Sequence, residues 1–203
     1  MKRQNRNNAT IGYFLPLFFI LFSNPLQAQE TKRLWTETDR KYLVENMRRT
    51  RDELTKETEN LTAAQWSFQE SPDRWSIAQV VEHLALWEIA WAREIGMGVR
   101  NKPQPELAAK ATPDSYYTTY IMEDKAHVAP EFARPTGYIE GKNALAFFRN
   151  RREQAIAYLD TTQVDMRMQF ELTATPYPRN MHDVYIYQWG HVDRHLQIGR
   201  AHV

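Results

Sequence analysis

Residues Trp75 to Gly98 constrain the fold of this chain most. Ile77, Val80, Val81, Leu84, Trp87, Trp91 and Ile95 recur at spacings of three and four, the period of one apolar helix face. Ser76 stands at an N-cap position, with Gln79 placed to complete a capping box and Trp75 placed to staple onto Val80. Gly96 and Gly98 mark the end. Three further segments carry the same period. Thr36 to Asp39 is a helix start, followed by apolar Tyr42, Leu43, Met47, Leu54 and Leu61 opposite a charge-rich, solvated face. Asn143 to Leu159 places Leu145, Phe148, Ile156 and Leu159 on one side. Met181 to His202 has no proline and repeats Val184, Trp189, Val192, Leu196 and Ile198. Only Met168 to Leu172 is expected to be briefly extended. The expected fold is all-α, a four-helix bundle with a long crossover between helices 2 and 3.

That crossover covers about residues 101–141 and is punctuated by Pro103, Pro105, Pro113, Pro130 and Pro135. A short helix is expected from Ser115 to Lys125. An excursion this long reads equally as a functional lid or as a structural link between distant bundle ends. The connection at 62–73 holds Trp66 and Phe68, both expected to fold back onto the bundle.

The first 28 residues have the layout of a secretory signal peptide. Lys2, Arg3 and Arg6 precede an apolar run from Ile11 to Phe22, and small Ala28 occupies the last position before cleavage. The run is too short to span a bilayer comfortably, so no stable membrane insertion is expected after cleavage. The mature domain is then 29–203, exported to the periplasm or beyond. Cleavage takes the basic count from 26 to 23 against 25 acidic residues, a net −2, which gives no electrostatic basis for binding nucleic acid. The chain has no cysteine, so thiolate ligands and thiol nucleophiles are excluded and a metal site must use His, Asp or Glu.

Histidine supplies such a set. His191 and His195 are four apart on a helix and project from one face, where two imidazoles can share a cation. His83 lies between Val80 and Trp87 on the inward stripe of the second helix. A lone histidine there reads as a hydrogen-bonded core residue. Three buried imidazoles without a metal are harder to satisfy, and bundle cores hold metals on facing helices in this way. His83, His191 and His195 are therefore the expected metal ligands, leaving one coordination position open. His127, His182 and His202 are placed less well. Glu88 is the candidate general base, reading alternatively as a surface ion-pair partner. Glu82 is the other carboxylate beside His83, and Arg194 is placed to anchor a carboxylate on a neighbouring helix.

Taken together, Trp75-Ser76-Ile77-Ala78-Gln79-Val80-Val81-Glu82-His83-Leu84 and His191-Val192-Asp193-Arg194-His195-Leu196-Gln197-Ile198 resemble the second and last helices of the DinB-like superfamily. Ala129-Pro130-Glu131-Phe132 and Arg134-Pro135-Thr136-Gly137 resemble the crossover of one branch of it. The resemblance implies a four-helix bundle with a divalent metal on His83, His191 and His195, and often a homodimer. It also implies a small-molecule substrate and either metal-dependent hydrolysis or thiol-dependent S-transfer.

Hydrolysis suits an exported protein with no supply of intracellular thiols. An S-transferase would need a polar pocket for its thiol, for which Arg194 and Arg134 are the nominees. A non-catalytic metal-binding module would close the metal with a fourth protein ligand, such as His202 or a carboxylate. Imidazoles suit zinc, nickel, iron and copper alike, and zinc or nickel is the expected ion.

Overall fold

Every long helix expected from the sequence is present in the computed structural model of the protein, which describes residues 33–123, 125, 127–171 and 178–201. The four long helices are α1 (Glu37–Thr58), α3 (Ile77–Gly98), α6 (Gly141–Thr161) and α7 (Met181–Ala201). Shorter pieces connect them: α2 (Ala63–Trp66), α4 (Pro105–Ala108), α5 (Asp114–Ile121) and a single 3-10 turn at Glu131–Ala133. Among the described residues there is no strand, only an isolated antiparallel bridge between Phe170 and Asn180. None of these helices is long and apolar enough to cross a membrane. Residues 1–28, expected to be a signal segment, and His202 lie outside the described residues.

The helix starts follow local chemistry. Thr36 caps α1 in a capping box with Asp39, and Ser76 caps α3 in one with Gln79. Each box satisfies backbone N–H groups that the first helical turn leaves without partners. The 62–73 connection carries a third box, Thr62 with Gln65, which builds α2 where the sequence suggested only a loop. Trp66 is buried as expected, whereas Phe68 stays exposed at the rim of a cleft. The Trp75 ring lies 4.9 Å from that of His83.

The core is divided. One apolar cluster gathers Leu43, Met47, Trp91, Ile95, Ile156, Leu159 and the start of α7. The other gathers Leu54, Val81, Leu84, Leu145, Phe148, Val192 and Leu196. Between them each long helix contributes one polar residue: Thr50, Glu88, Arg152 and Gln188. Arg152 donates to Glu88 Oε1 at 2.5 Å, to Thr50 Oγ1 at 3.0 Å and to the Gln188 carbonyl at 3.1 Å. The Gln188 amide donates to Glu88 Oε2 at 2.7 Å. This layer fixes how the four helices register, because the Arg152 and Gln188 donors find their acceptors on other helices.

The crossover is fastened to the bundle. Arg194 donates to the carbonyls of Ile121 at 3.0 Å and Lys125 at 2.6 Å, and also to that of Glu123. It thereby takes up carbonyls at the C-terminal end of α5 that helical bonding leaves open. Gly190 allows α5 to approach α7, since a Cβ there would meet Ile121 Cγ2 at 2.8 Å. Gly190→Ala is expected to lower stability by about 1 kcal/mol. Overpacking against a β-branched side chain costs about 1–3 kcal/mol and the gain in helix propensity returns about 1. Urea denaturation of the metal-free protein checks this, and an unchanged midpoint would show that Ile121 yields freely.

Candidate metal centre

The structure brings the three expected histidines together. His83 comes from the middle of α3, and His191 and His195 from consecutive turns of α7. Their ligand atoms all lie within 4.8 Å of one another. His191 Nε2 is 3.3 Å from His83 Nε2 and 3.2 Å from His195 Nε2. Two nitrogens bound to one tetrahedral ion at about 2.0–2.1 Å would stand about 3.3 Å apart, so the spacing fits a shared cation.

The tautomer of His83 follows from its partner. His83 Nδ1 lies 2.6 Å from the carbonyl oxygen of Ala133, which can only accept. Nδ1 therefore carries the proton, and the Nε2 lone pair faces the other two rings. His191 Nε2 cannot then make two linear hydrogen bonds to its neighbours. If it donates to one ring it presents that same N–H to the other, and if it accepts from His195 it sets a lone pair against His83. A cation resolves this conflict.

Protonation does not resolve it, because burial pulls all three rings below the ordinary histidine range. His195 is pushed down to about 3 by burial, then by His83 and Arg194. His191 is held well below its usual value by burial and by the neighbouring histidines and arginines. His83 is lowered by burial, although the Ala133 hydrogen bond opposes this. Neutral imidazole is the form that binds a metal.

Neither carboxylate beside His83 faces the histidines as a free base. The Glu88 expectation is corrected: its side chain is 1 % exposed and is held by Arg152 and Gln188 in the polar layer. It is a buried ion-pair partner, not a surface one. Glu82 Oε1 accepts from the Thr136 N–H at 2.8 Å and hydroxyl at 2.6 Å, and Oε2 accepts from the Gly137 N–H at 3.0 Å. Gly137 has φ +75°, a conformation suited to glycine. Residues 82 and 83 thus each pin the same stretch of crossover. Arg194 spends its guanidinium on the crossover carbonyls, and Arg134 donates to Ala129 O at 3.3 Å. Arg194 is thereby committed to the crossover, whereas Arg134 makes this one bond through Nε.

The histidines open into a cleft of about 1840 Å³. Trp75, Trp87 and Trp91 line it beside them. Trp87 and Trp91 stack at 4.8 Å, and their rings lie 5.6 and 5.5 Å from that of His191. Phe132 of the crossover stands edge-on to Trp87 at 5.0 Å. The other described histidines lie outside the three-histidine group, although His127 also lines the cleft. His127 bonds Glu123 at 2.7 Å, and His182 is buried against Trp35, Asp114 and Arg167. Sequence reasoning missed Ala133, which gave no side-chain signal. It also missed the polar far end of the cleft, where Glu94 continues the His83–Trp87–Trp91 stripe of α3.

With this geometry established, comparisons with known proteins give two matches. The family model of the DinB superfamily matches residues 46–198. A solved structure, that of YfiT from Bacillus subtilis, aligns with TM-score 0.55 at 14% identity, over 82% of this chain and 89% of that one. YfiT is described as a probable metal-dependent hydrolase with an unusual four-helix bundle topology. A search of the curated proteins found no match.

Proposed function

From the premise that this chain belongs to the DinB superfamily, we propose that it is a metal-dependent hydrolase of a small-molecule substrate, working outside the cytoplasm once residues 1–28 are removed. The observation that carries the reading is the convergence of three neutral Nε2 atoms on one point, from two helices, at the inner wall of an open cleft. The description of YfiT as a probable hydrolase supports it. Zinc or nickel fits the all-imidazole donor set.

The chain's own residues define what such a centre can do. His83, His191 and His195 would hold the ion, and no fourth His, Cys, Asp or Glu joins their group among the described residues. An open position distinguishes a catalytic site from a closed structural one. When bound, a divalent ion of this kind lowers the pKa of a coordinated water toward about 7 and polarises a substrate oxygen. The Ala133 carbonyl fixes the His83 ring, Trp75, Trp87 and Trp91 shield the histidines, and Trp75 and Trp87 offer apolar faces to substrate. With Glu82 and Glu88 both engaged, neither serves as a base beside the ion.

The test is a screen of esters, amides and phosphoesters with the mature chain. Turnover of at least one class is expected without added thiol. It should vanish on treatment with dipicolinate and return with zinc or nickel. Fully metal-loaded protein that turns over nothing would overturn the reading. Turnover appearing only with an added thiol would move it to S-transfer.

A further inference from the structure

The cleft has a second polar end that the metal centre does not use. On α3, His83, Trp87, Trp91 and Glu94 fall on one face at successive turns, and all four line the cleft. Glu94 lies eleven residues past His83, about 16 Å along the helix axis. It is too far to take part in chemistry at the histidines and well placed to hold the other end of a molecule bound there.

At this end two carboxyl groups share one guanidinium. Arg179 Nη2 donates to Glu94 Oε1 at 2.8 Å and to Glu171 Oε2 at 2.8 Å. Arg179 also donates its backbone N–H to Glu171 Oε1 at 3.0 Å. The guanidinium stacks 4.9 Å over the ring of Tyr187, which lines the cleft with Tyr120. Two carboxylates against one guanidinium leave one positive charge wanting. Burial pushes the Glu94 carboxyl up to about 7, against the pull of Arg179, and the adjoining Glu171 carboxyl adds to the rise. Either a proton on the carboxyl pair or a ligand cation can balance the trio.

We infer that Glu94, flanked by Arg179, Tyr187 and Tyr120, forms a subsite for a primary ammonium or similar cationic donor group. The molecule it belongs to would run its apolar or ring-bearing middle along Trp87, which is stacked on the buried Trp91. Arg179 already covers the Tyr187 face, and Tyr116 and His127 stack on Tyr120, so the carboxyl oxygens hold the cation, and the apolar Trp87 ring favours a flat or aliphatic middle. This deepens the proposed function by naming the substrate class, and it rests on that reading only in calling the bound molecule a substrate.

The experiment uses three probes of like shape on the mature chain: 4-phenylbutylamine, 4-phenylbutanol and 4-phenylbutyrate, with binding measured by calorimetry at pH 7.5. The amine is expected to bind about tenfold more tightly than the alcohol, the scale of a charge-assisted hydrogen bond, and the carboxylate more weakly than both. Glu94→Gln should remove the preference for the amine. His195→Ala, which disables the metal centre, should leave that preference intact, so the subsite and the metal reading fail separately. An amine no tighter than the alcohol in the unsubstituted chain overturns the inference. So does a preference that survives Glu94→Gln, or one lost in His195→Ala, which would mark an amine bound to metal. Tighter binding of the carboxylate also overturns it and assigns the contact to Arg179.

Discussion

His195→Ala is expected to weaken zinc or nickel binding well beyond a hundredfold while leaving the helices in place. Removing a partner that only orients a ligand costs about 10–100-fold in metal affinity, and His195 supplies one of the three converging nitrogens itself. Two imidazoles on different helices would remain, His83 and His191, with their Nε2 atoms 3.3 Å apart. That pair lacks the third direction that makes the set selective for an ion over water. The measurement is metal content by mass spectrometry after dialysis, paired with competition against a chromophoric chelator. One ion per mature chain, lost in the variant, is the expected outcome. Equal metal in both proteins would show that the ion sits elsewhere. The far-ultraviolet circular dichroism should hardly change, because the His195 ring belongs to the cleft wall and not to either apolar cluster.

The largest stability effect is expected from Arg152→Met. Arg152 is fully buried and its partner Glu88 is 1 % exposed. Taking away one member of a buried ion pair costs about 3–5 kcal/mol, because the other charge is left without compensation. Thr50 and Gln188 also lose a partner each. Replacing both charged residues, as Glu88→Leu with Arg152→Met, should recover most of that loss, since apolar replacements of similar volume are often neutral in such layers. Urea denaturation of the two variants decides the point. A single variant as stable as the parent would mean that the layer is not desolvated in solution. A double variant no better than the single would mean that Thr50 and Gln188 carry the penalty.

The four long helices were legible because their signals are local. The Thr36–Asp39 and Ser76–Gln79 boxes each lie within four residues, and the apolar stripes of α3 and α7 repeat every turn. His191 and His195 were legible for the same reason. The role of Glu88 was not, because its partner stands 64 residues away and its position on the α3 stripe does not say which helix faces it. The short helix α2 was legible in principle, through Thr62 and Gln65, but four residues are too few to show a period. Neither the Ala133 carbonyl nor the crossover carbonyls taken by Arg194 could be read at all, since backbone acceptors leave no mark on a sequence. The placement of Glu94 beside Arg179 depends on two segments 85 residues apart meeting at the cleft.

The crossover is tied down on both sides of the histidines, by Ala133 and Thr136–Gly137 on α3 and by the carbonyls around Ile121 on α7. A lineage that inherits this wiring has little freedom in the length of that segment. An added or deleted residue between the two anchors would shift the carbonyl that sets the tilt of the His83 ring. Changes in what the cleft accepts are therefore expected to accumulate as exchanges of side chains such as those of His127 and Val128, which line the cleft and bear none of these anchors. The histidine geometry and the substrate range are inherited on the same strip of chain, the first through its backbone and the second through its side chains.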